Sequence, residues 1–186
     1  FSDHGSKKFY ITVNYKSRIL KSFFEELRPS YSIKFIDEFQ PLGTAGSLRL
    51  LKKKIKDPFL VTNCDIIVNA DYGDLYTFHK ENKFDITLVA STKEYVVPYG
   101  ICKLNKIGHL LNIQEKPRYN FLANTGLYVI NPRVLDIIPK NKLYHITDLI
   151  SDARKKRMKV GVYPIDDKSW FDIGQWAEYR KTIEKL

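Results

Sequence analysis

Two aspartates, Asp65 and Asp172, have the residue type and placement best suited to chemistry on phosphate groups. Asp65 follows an apolar run, Phe59–Val61, which predicts a short buried strand. A carboxylate just beyond such a strand lies where open α/β sheets bind their ligands. Magnesium prefers carboxylate oxygens and usually takes only one or two from protein. The pair therefore predicts a magnesium site, although a loop or helix-capping role would explain either aspartate taken alone.

Four further short motifs place small or polar residues at the ends of predicted elements. The loop at 41–47, Pro-Leu-Gly-Thr-Ala-Gly-Ser, could offer backbone amides to a base, ribose or phosphate at a helix entrance. In Glu115-Lys116-Pro117 the lysine is a point charge suited to a phosphate, and the glutamate could accept from sugar hydroxyls. The other two motifs are Tyr99-Gly100 and Asn124-Thr125-Gly126. A tight turn or a solvated ion pair would explain each motif on its own.

The elements that must position these residues alternate between strands and helices as far as Ala90. The predicted strands lie at 9–13, 33–36, 59–63 and 85–90. Of the three helices between them, the first lies at 16–27, the second includes Leu48, Leu51 and Ile55, and the third begins at Asp71. This order favours a largely parallel sheet with helices on its faces. A hairpin around 105–108, strands at 125–130 and 160–165, short helices, and a closing helix at 175–186 complete a single predicted domain over 1–186.

Composition limits the classes of partner and compartment. The net charge of +10, from 31 Lys and Arg against 21 Asp and Glu, suits a phosphate-rich partner. No apolar run approaches the roughly 20 residues of a membrane helix, and no signal peptide is visible. The two cysteines form no CxxC motif. We therefore expect a cytoplasmic protein with no membrane partner.

The order of the motifs is more specific than any one of them. Gly-Thr-Ala-Gly, Asn-Cys-Asp, Tyr-Gly, Glu-Lys-Pro, Asn-Thr-Gly-Leu-Tyr and Trp-Phe-Asp-Ile-Gly follow one another along the chain. This series resembles the sugar-1-phosphate nucleotidyltransferases, or NDP-sugar pyrophosphorylases, and in particular their mannose-1-phosphate guanylyltransferase-like branch. The resemblance implies a Rossmann-like three-layer α/β/α fold. Its central sheet would be mixed but mostly parallel, with a β-rich sugar-binding insertion.

The same resemblance implies a reaction and a role for each motif residue. An NTP and a sugar 1-phosphate would give an NDP-sugar and pyrophosphate, with GTP and a mannose-type sugar favoured. Asp65 and Asp172 would hold Mg²⁺, and Lys116 would bind the sugar phosphate. The residues implied for nucleotide binding are Leu42, Gly43, Thr44, Ala45 and Asn63. The residues implied for sugar binding are Tyr99, Gly100, Glu115, Asn124, Thr125, Gly126 and Trp170, the last as a wall of the site near the metal.

One family feature has no match in this sequence. The family opens with a strand and a loop of the form G-x-G-x-R-x-x-P, which grips the triphosphate. Without it the first βα unit of the fold would be missing, so the chain would be either a fragment or an unusual truncated relative. The fragment is favoured, because a sheet lacking its central strand would expose apolar faces and edges. We therefore expect the chain to be an N-terminally incomplete fragment with little or no turnover by itself.

Three other functions compete with this interpretation. A nucleotide-sugar-dependent glycosyltransferase would need Asp-x-Asp at the metal strand, where only Asp65 is present. A catalytically silent regulatory relative that binds NDP-sugar is compatible with the missing loop. A nucleic-acid-binding module is suggested by charge alone, and because no recognised motif supports it we expect no nucleic acid partner. The sugar, the base and the oligomeric state, including a homo-oligomer, stay open.

Overall fold

The computed structural model describes residues 1–174. Its strands are β1 Lys8–Val13, β2 Ser32–Asp37, β3 Phe59–Thr62, β4 Ile66–Val68, β5 Ile86–Val96, β6 Ile101–Leu104, β7 Leu110–Gln114, β8 Arg118–Ile130, β9 Val160–Ile165 and β10 Trp170–Asp172. Its α-helices are α1 Ser17–Leu27, α2 Gly43–Gly46, α3 Tyr72–Glu81 and α4 Ile146–Lys155. Single 3₁₀ turns or short 3₁₀ helices lie at Ser2–His4, Ser47–Leu51, Pro132–Asp136 and Asp167–Ser169. The predicted closing helix at 175–186 lies outside the described residues.

The chain divides into two compact units. The first unit consists of Phe1–Cys64, Ala70–Leu88 and Gly126–Tyr163. The described part of the second unit consists of Asp65–Asn69, Val89–Thr125 and residues 164–174. Strands β5, β8 and β9 each contribute residues to both units. The single predicted domain over 1–186 stays a prediction.

The first unit begins with a parallel β-α-β motif. Strands β1 and β2 pair in parallel from Lys8 opposite Ser32 to Val13 opposite Asp37. Parallel neighbours need a crossover connection, and α1 provides it, as the helical spacing of its apolar residues predicts. The side chain of Lys21 on α1 donates to Asp37 at the end of β2, with Nζ 2.6 Å from Oδ1.

A four-stranded sheet in the order β3-β8-β5-β9 supplies the strands of the first unit's core. Strand β3 is antiparallel to the end of β8, from Phe59 opposite Ile130 to Thr62 opposite Leu127. The apolar run at the end of β8 is fully buried and packs with residues of α4 such as Leu149 and Ala153. Such unbroken apolar runs are typical of strands covered on both faces. The α/β class and a mixed sheet are thus confirmed.

Local sequence signals account well for α3 and less well for the segment after Gly46. Asp71 caps α3, since its Oδ1 accepts from the Asp74 amide at 2.9 Å as predicted. The helix predicted through Ile55 is wrong in length, because helical structure ends in a 3₁₀ helix at Leu51. Lys53 then adopts a φ of 73°, which an α-helix cannot contain.

The second unit contains the predicted hairpin and a strand pair that sequence patterns missed. Strands β6 and β7 are antiparallel, with Ile101 opposite Gln114, and all their side chains are exposed. Strands β4 and β10 form a separate antiparallel pair. None of the helices within residues 1–174 is long and apolar enough to cross a membrane.

Candidate functional site

The pair of strands β4 and β10 brings Asp65 and Asp172 together in the second unit. Asp172 stands opposite Ile66, the residue that follows Asp65. The amide of Ile173 donates to the carbonyl of Asp65 at 2.9 Å, which extends the ladder past Asp172. At the other end the Asn69 amide donates to the Ser169 carbonyl at 2.8 Å. Backbone pairing over the whole ladder therefore fixes the two aspartates side by side.

Their carboxylates converge on a space that Gly174 leaves open. A Cβ atom placed on Gly174 would lie 2.8 Å from Asp65 Oδ2 and 3.2 Å from Asp172 Oδ1. The amide of Gly174 also donates to Asp172 Oδ1 at 3.0 Å, which orients that carboxylate. A side chain at position 174 would fill this space, so the position suits glycine.

The donor set fits magnesium. Both groups are hard oxygen donors, and magnesium typically takes one or two carboxylates and completes its octahedron with phosphates and water. Within residues 1–174 no three or more His, Cys, Asp or Glu side chains cluster as metal ligands. A metal here would therefore draw at most these two carboxylates from the described part of the chain. This arrangement does not suit zinc, which prefers four nitrogen and sulfur ligands.

The Tyr99-Gly100 and Glu115-Lys116 motifs also meet in the second unit. The amide of Lys116 donates to the Tyr99 carbonyl at 3.3 Å, and the Val97 amide donates to the Pro117 carbonyl at 3.0 Å. A Cβ atom on Gly100 would lie 2.9 Å from Glu115 Oε2. The Glu115 carboxylate therefore lies directly over Gly100, and the two predicted sugar-binding motifs form one patch.

Lys116 adopts a backbone conformation that is unfavourable for a lysine. Its φ is 45°, in the left-handed region, and Pro117 follows it directly. An L-residue with a side chain loses roughly 1–2 kcal/mol in this region, and a following proline restricts the residue further. Such conformations cluster at functional sites, where the surrounding structure holds them. The exposed Lys116 side chain is thus presented from a constrained turn.

The Asn124-Thr125 motif is only partly available for a ligand. Asn124 is exposed. Thr125 is 1% exposed, and its hydroxyl donates to the Val89 carbonyl at 2.9 Å. Thr125 thus has a structural contact in place of an exposed hydroxyl, and its predicted part in sugar recognition has no support from this geometry.

Asn63 and Gly126 meet in the first unit. The amide of Asn63 donates to the Gly126 carbonyl at 3.1 Å. Gly126 has a φ of 89°, and a Cβ atom there would lie 2.8 Å from Asn63 Nδ2. Both the left-handed backbone and the close approach of the amide side chain require glycine. These two predicted ligand-binding residues therefore form one rigid contact.

The loop containing Leu42, Gly43, Thr44 and Ala45 is held against the segment that enters α4. The amides of Ala45 and Gly46 both donate to the Tyr144 carbonyl at 3.0 Å, and the Leu42 amide donates to Glu38 Oε2 at 3.2 Å. Thr44 Oγ1 accepts from the Ile146 amide at 3.0 Å. The amides of Leu42 and Ala45 are thus already bonded within the protein, and the Leu42 carbonyl also accepts from the Tyr144 amide at 2.9 Å. The predicted nucleotide contact through the backbone of Leu42 therefore has no support from this geometry.

Two residues that contact β10 or the aspartate pair escaped the sequence-based prediction. Lys93 on β5 places its Nζ 5.0 Å from the ring centroid of Trp170, and no local pattern marks it, because this contact depends on long-range strand placement. Gly174 lies within the Trp-Phe-Asp-Ile-Gly motif, but its role depends on where Asp65 lies in space. An isolated glycine two residues after a candidate ligand was the only available signal.

Comparison with known families gives one match along the whole chain. A family model described as nucleotidyl transferase matches residues 1–186. A mannose-1-phosphate guanyltransferase of Yarrowia lipolytica is 30% identical over 186 residues, covering 94% of this chain and 50% of that protein. The mannose-1-phosphate guanylyltransferase catalytic subunit beta of Dictyostelium discoideum is 33% identical over 182 residues, with the same shares. The chain thus spans about half the length of these relatives.

Solved structures of similar fold come from two further proteins. HddC from Yersinia pseudotuberculosis superposes with a TM-score of 0.73 at 23% identity, covering 99% of this chain and 80% of that one. A second HddC structure, in complex with GMP-PN, gives the same TM-score at 22% identity and the same coverage. The inositol-1-phosphate CTP transferase of T. maritima gives 0.70 at 17% identity, covering 99% of this chain and 77% of that one. At these identities the structures show a shared fold.

Proposed function

Because the chain belongs to the nucleotidyl transferase family, we propose that the protein carrying it makes an NDP-sugar from an NTP and a sugar 1-phosphate. The observation that carries this proposal is the convergence of the Asp65 and Asp172 carboxylates beside Gly174. The names of the similar guanyltransferases favour GTP and mannose 1-phosphate as the substrate pair.

The proposed reaction is a direct displacement at phosphorus. An oxygen of the sugar phosphate attacks the α-phosphorus of the NTP and forms the new P–O bond. The bond between the α-phosphorus and the bridging oxygen breaks, and pyrophosphate leaves with the electron pair. No protein nucleophile is required, so positioning and charge stabilisation would supply the catalysis.

Asp65 and Asp172 would hold Mg²⁺ in this proposal. When bound, the ion neutralises phosphate charge and orients the two reacting phosphates on one another. The protein's part is to keep the two carboxylates in place. The β4–β10 ladder fixes their backbones, and the Gly174 amide orients Asp172.

Lys116 and Glu115 would bind the sugar 1-phosphate in the second unit. The Lys116 ammonium suits the phosphate as a compact positive charge. Glu115, held over Gly100, would accept hydrogen bonds from sugar hydroxyls, and the exposed Asn124 would donate to or accept from the sugar as well. Tyr99 would line the same patch, and Trp170 would bound it near the metal.

The nucleotide would use groups of the first unit. Gly43 and Thr44 begin the short helix α2, where backbone amides lack partners within a helix. Asn63, fixed against Gly126, would present its side-chain amide to the base or ribose. Base recognition by such groups leaves little trace in the sequence, so the choice of GTP as the nucleotide depends on the names of the similar proteins.

A substrate panel tests the proposed reaction directly. The protein that carries this chain is incubated with each NTP and a set of sugar 1-phosphates, and pyrophosphate release is measured with and without Mg²⁺. We expect release to require both substrates and the metal, with GTP and mannose 1-phosphate the most active pair. Binding of NTP without pyrophosphate release from any combination would contradict an enzymatic function and favour a silent binding protein.

The aspartate pair is tested by Asp65→Asn and Asp172→Asn. Each change keeps the side-chain size but removes one anionic ligand, so we expect turnover to fall by about a hundredfold or more while the protein stays folded. Mn²⁺ binding, followed by electron paramagnetic resonance, should weaken in parallel. Asp167→Asn is the control, because this exposed aspartate lies near β10 but outside the pair. Near-normal turnover in either variant would contradict the two-carboxylate site.

A further inference from the structure

Lys93 directs its side chain toward Trp170 in the second unit. Its Nζ lies 5.0 Å from the centroid of the Trp170 ring, a distance typical of a cation–π contact. Lys93 is half-buried, whereas its neighbours Thr92 and Glu94 on β5 are exposed. The lysine therefore belongs to the covered face of β5, which is unusual for this residue type.

The residues around Lys93 hold β5 in place beside the segment that leads into β10. Ser91 Oγ contacts the Asp166 carbonyl at 3.5 Å, and Thr92 Oγ1 donates to the Ile165 carbonyl at 3.4 Å. Glu94 pairs with Arg118, with Oε1 and Nη1 3.2 Å apart. Lys93 itself pairs with no carboxylate of residues 1–174.

The Lys93 ammonium lies near the face of β10 that carries Asp172. Trp170 and Asp172 are two residues apart on one strand, so their side chains point to the same face, with Cα atoms roughly 6.6 Å apart. The indole Nε1 of Trp170 is buried and has no hydrogen-bond acceptor within residues 1–174. The ring thus takes its orientation from packing, including the contact with Lys93.

Charge explains why a cation would be needed here. Asp65 and Asp172 together carry two negative charges, which balance the two positive charges of one divalent cation. The pair with its metal is therefore neutral overall, whereas the bound substrates bring several negative phosphate oxygens. Charge-assisted hydrogen bonds from lysine or arginine are the usual means of holding such oxygens. Lys93 is a cation without an acidic partner among the described residues, beside the strand that carries Asp172.

We propose that Lys93 is a substrate-binding residue that contacts a phosphate group held beside Asp65 and Asp172. This inference rests on the proposed function, since it assumes phosphorylated substrates at the aspartate pair. The phosphate belongs either to the NTP or to the sugar 1-phosphate, and the two present the same oxyanion chemistry to the lysine. The contact with Trp170 holds the long side chain ready in the absence of substrate, which lowers the entropic cost of binding.

Two substitutions separate charge from packing. Lys93→Met keeps a long apolar side chain against Trp170 and removes the charge, whereas Lys93→Arg keeps the charge. The affinity of each protein for a magnesium NTP and, separately, for a sugar 1-phosphate is measured by isothermal titration calorimetry. We expect Lys93→Met to lower the affinity for one of these ligands by about tenfold or more, because a hydrogen bond to a charged group is lost. Lys93→Arg should restore most of the affinity, and the ligand affected identifies the phosphate.

Lys80→Met is the matched control. Lys80 Nζ lies 5.6 Å from the centroid of the Tyr76 ring on α3, so this change also removes a cation–π contact, but in the first unit. We expect both affinities of this variant to equal those of the unsubstituted protein. Thermal unfolding of all variants shows that any loss of affinity is not a loss of folded protein.

The outcomes are distinct. Equal affinities for both ligands in Lys93→Met and the unsubstituted protein would overturn the role of Lys93 and leave the proposed function standing. Weaker binding in Lys93→Met that Lys93→Arg fails to restore would also overturn it, because a phosphate contact needs the charge and not this particular side chain. Absence of binding of either ligand to the folded, unsubstituted protein would overturn the proposed function, and this inference with it.

Discussion

Gly174 contributes to the candidate metal site through the side chain that it lacks. Its φ lies outside the left-handed region that favours glycine, so the backbone conformation does not by itself call for glycine. The obstacle to alanine is the Cβ atom alone, which would lie 2.8 Å from Asp65 Oδ2. Because that oxygen is the end of a flexible side chain, the carboxylate would rotate away while the fold persists.

We therefore predict that Gly174→Ala separates metal binding from folding. Displacement of the Asp65 carboxylate should raise the magnesium concentration needed for half-maximal turnover by about tenfold, the loss of one good ligand contact. Mn²⁺ binding in the absence of substrates should weaken by a similar factor. The thermal unfolding temperature should stay within a few degrees of the parent value.

Gly73→Ala is the matched control for this change. A Cβ atom on Gly73 would lie 3.2 Å from Asp71 Oδ1, so it also meets an aspartate oxygen, but this aspartate caps α3. Neither the metal requirement nor Mn²⁺ binding should change in Gly73→Ala. Unchanged Mn²⁺ affinity in Gly174→Ala would show that the open space beside the two carboxylates is not used by a metal.

Individual residues differ in how far the sequence alone identifies them. Asp65 and Asp172 stand out because they occur in an ordered series of motifs, and the structure places them together as the magnesium hypothesis requires. Lys93 carries no such signal, since one lysine among many in a basic chain is unremarkable without its spatial neighbours. Thr125 shows the opposite case, a motif residue whose hydroxyl is used inside the protein.

At the level of elements, the start of β5 depends on a buried aspartate, Asp85, that pairs with a largely exposed arginine. The Asp85 carboxylate is completely buried, pairs with the Arg133 guanidinium, and accepts from the Lys159 amide at 2.9 Å. Burial by itself would raise the pKa of Asp85, but the hydrogen bonds from Arg133 and Lys159 outweigh it and lower the pKa below its ordinary 3.8. Asp85 thus links the start of β5 to Arg133 and to the residue before β9.

We predict that Asp85→Asn lowers the free energy of unfolding at pH 7 by about 2 kcal/mol, because it removes charged hydrogen bonds from a buried site. A carboxyl with a lowered folded-state pKa stabilises the fold above its unfolded-state pKa. That contribution is lost as the pH falls through the folded-state pKa. The difference between Asp85→Asn and the parent should therefore shrink below about pH 4. Urea unfolding of both proteins at about pH 7 and about pH 3 measures this difference in the free energy of unfolding.

Asp136→Asn is the surface counterpart. Asp136 pairs with Lys52, but both side chains are largely exposed, and exposed ion pairs contribute little to stability. The urea concentration at the midpoint of unfolding should be nearly the same for Asp136→Asn and for the parent at both pH values. A difference for Asp85→Asn that is equal at pH 7 and pH 3 would mean that Asp85 acts through packing and not through its charge.

Elements with strong local patterns were predictable, and elements defined by distant pairing were not. The cap at Asp71 and the apolar spacing of α1 are local signals, and both elements formed as expected. Strands β4 and β10 have three residues each, which is too short for an alternating apolar pattern to be recognised in the sequence. Each becomes a strand only through pairing with the other, across about a hundred residues of sequence. The candidate metal site depends on this pair, so its geometry required the structure.

At the scale of the whole molecule, the formal net charge of this chain, +10, should favour binding of the anionic NTP of the proposed function. We predict that the dissociation constant for an NTP rises several-fold between about 0.05 and about 0.3 M salt, because the Debye length falls from above to below about 10 Å over this range. Calorimetric titrations at a series of salt concentrations measure the change. Binding of the corresponding uncharged nucleoside should not depend on salt, and an NTP affinity equally independent of salt would contradict this electrostatic contribution.

The fold class follows from the sequence more readily than the division of the chain does. Alternating strand and helix patterns up to Ala90 indicate an α/β protein, and the apolar end of β8 indicates a covered sheet. The division into two compact units depends on which distant segments pack together, as when residues 65–69 join the second unit while their sequence neighbours join the first. No local pattern encodes such a choice.

Under the proposed role of Lys116 in binding the sugar phosphate, its left-handed backbone opposes the demands of folding to those of activity. A library covering all amino acids at this position, sorted only for folded protein, should enrich glycine and asparagine, which tolerate that conformation. The same library sorted for use of the sugar phosphate should return lysine. Engineers who seek a more stable scaffold and those who seek a better enzyme would therefore choose different residues at position 116.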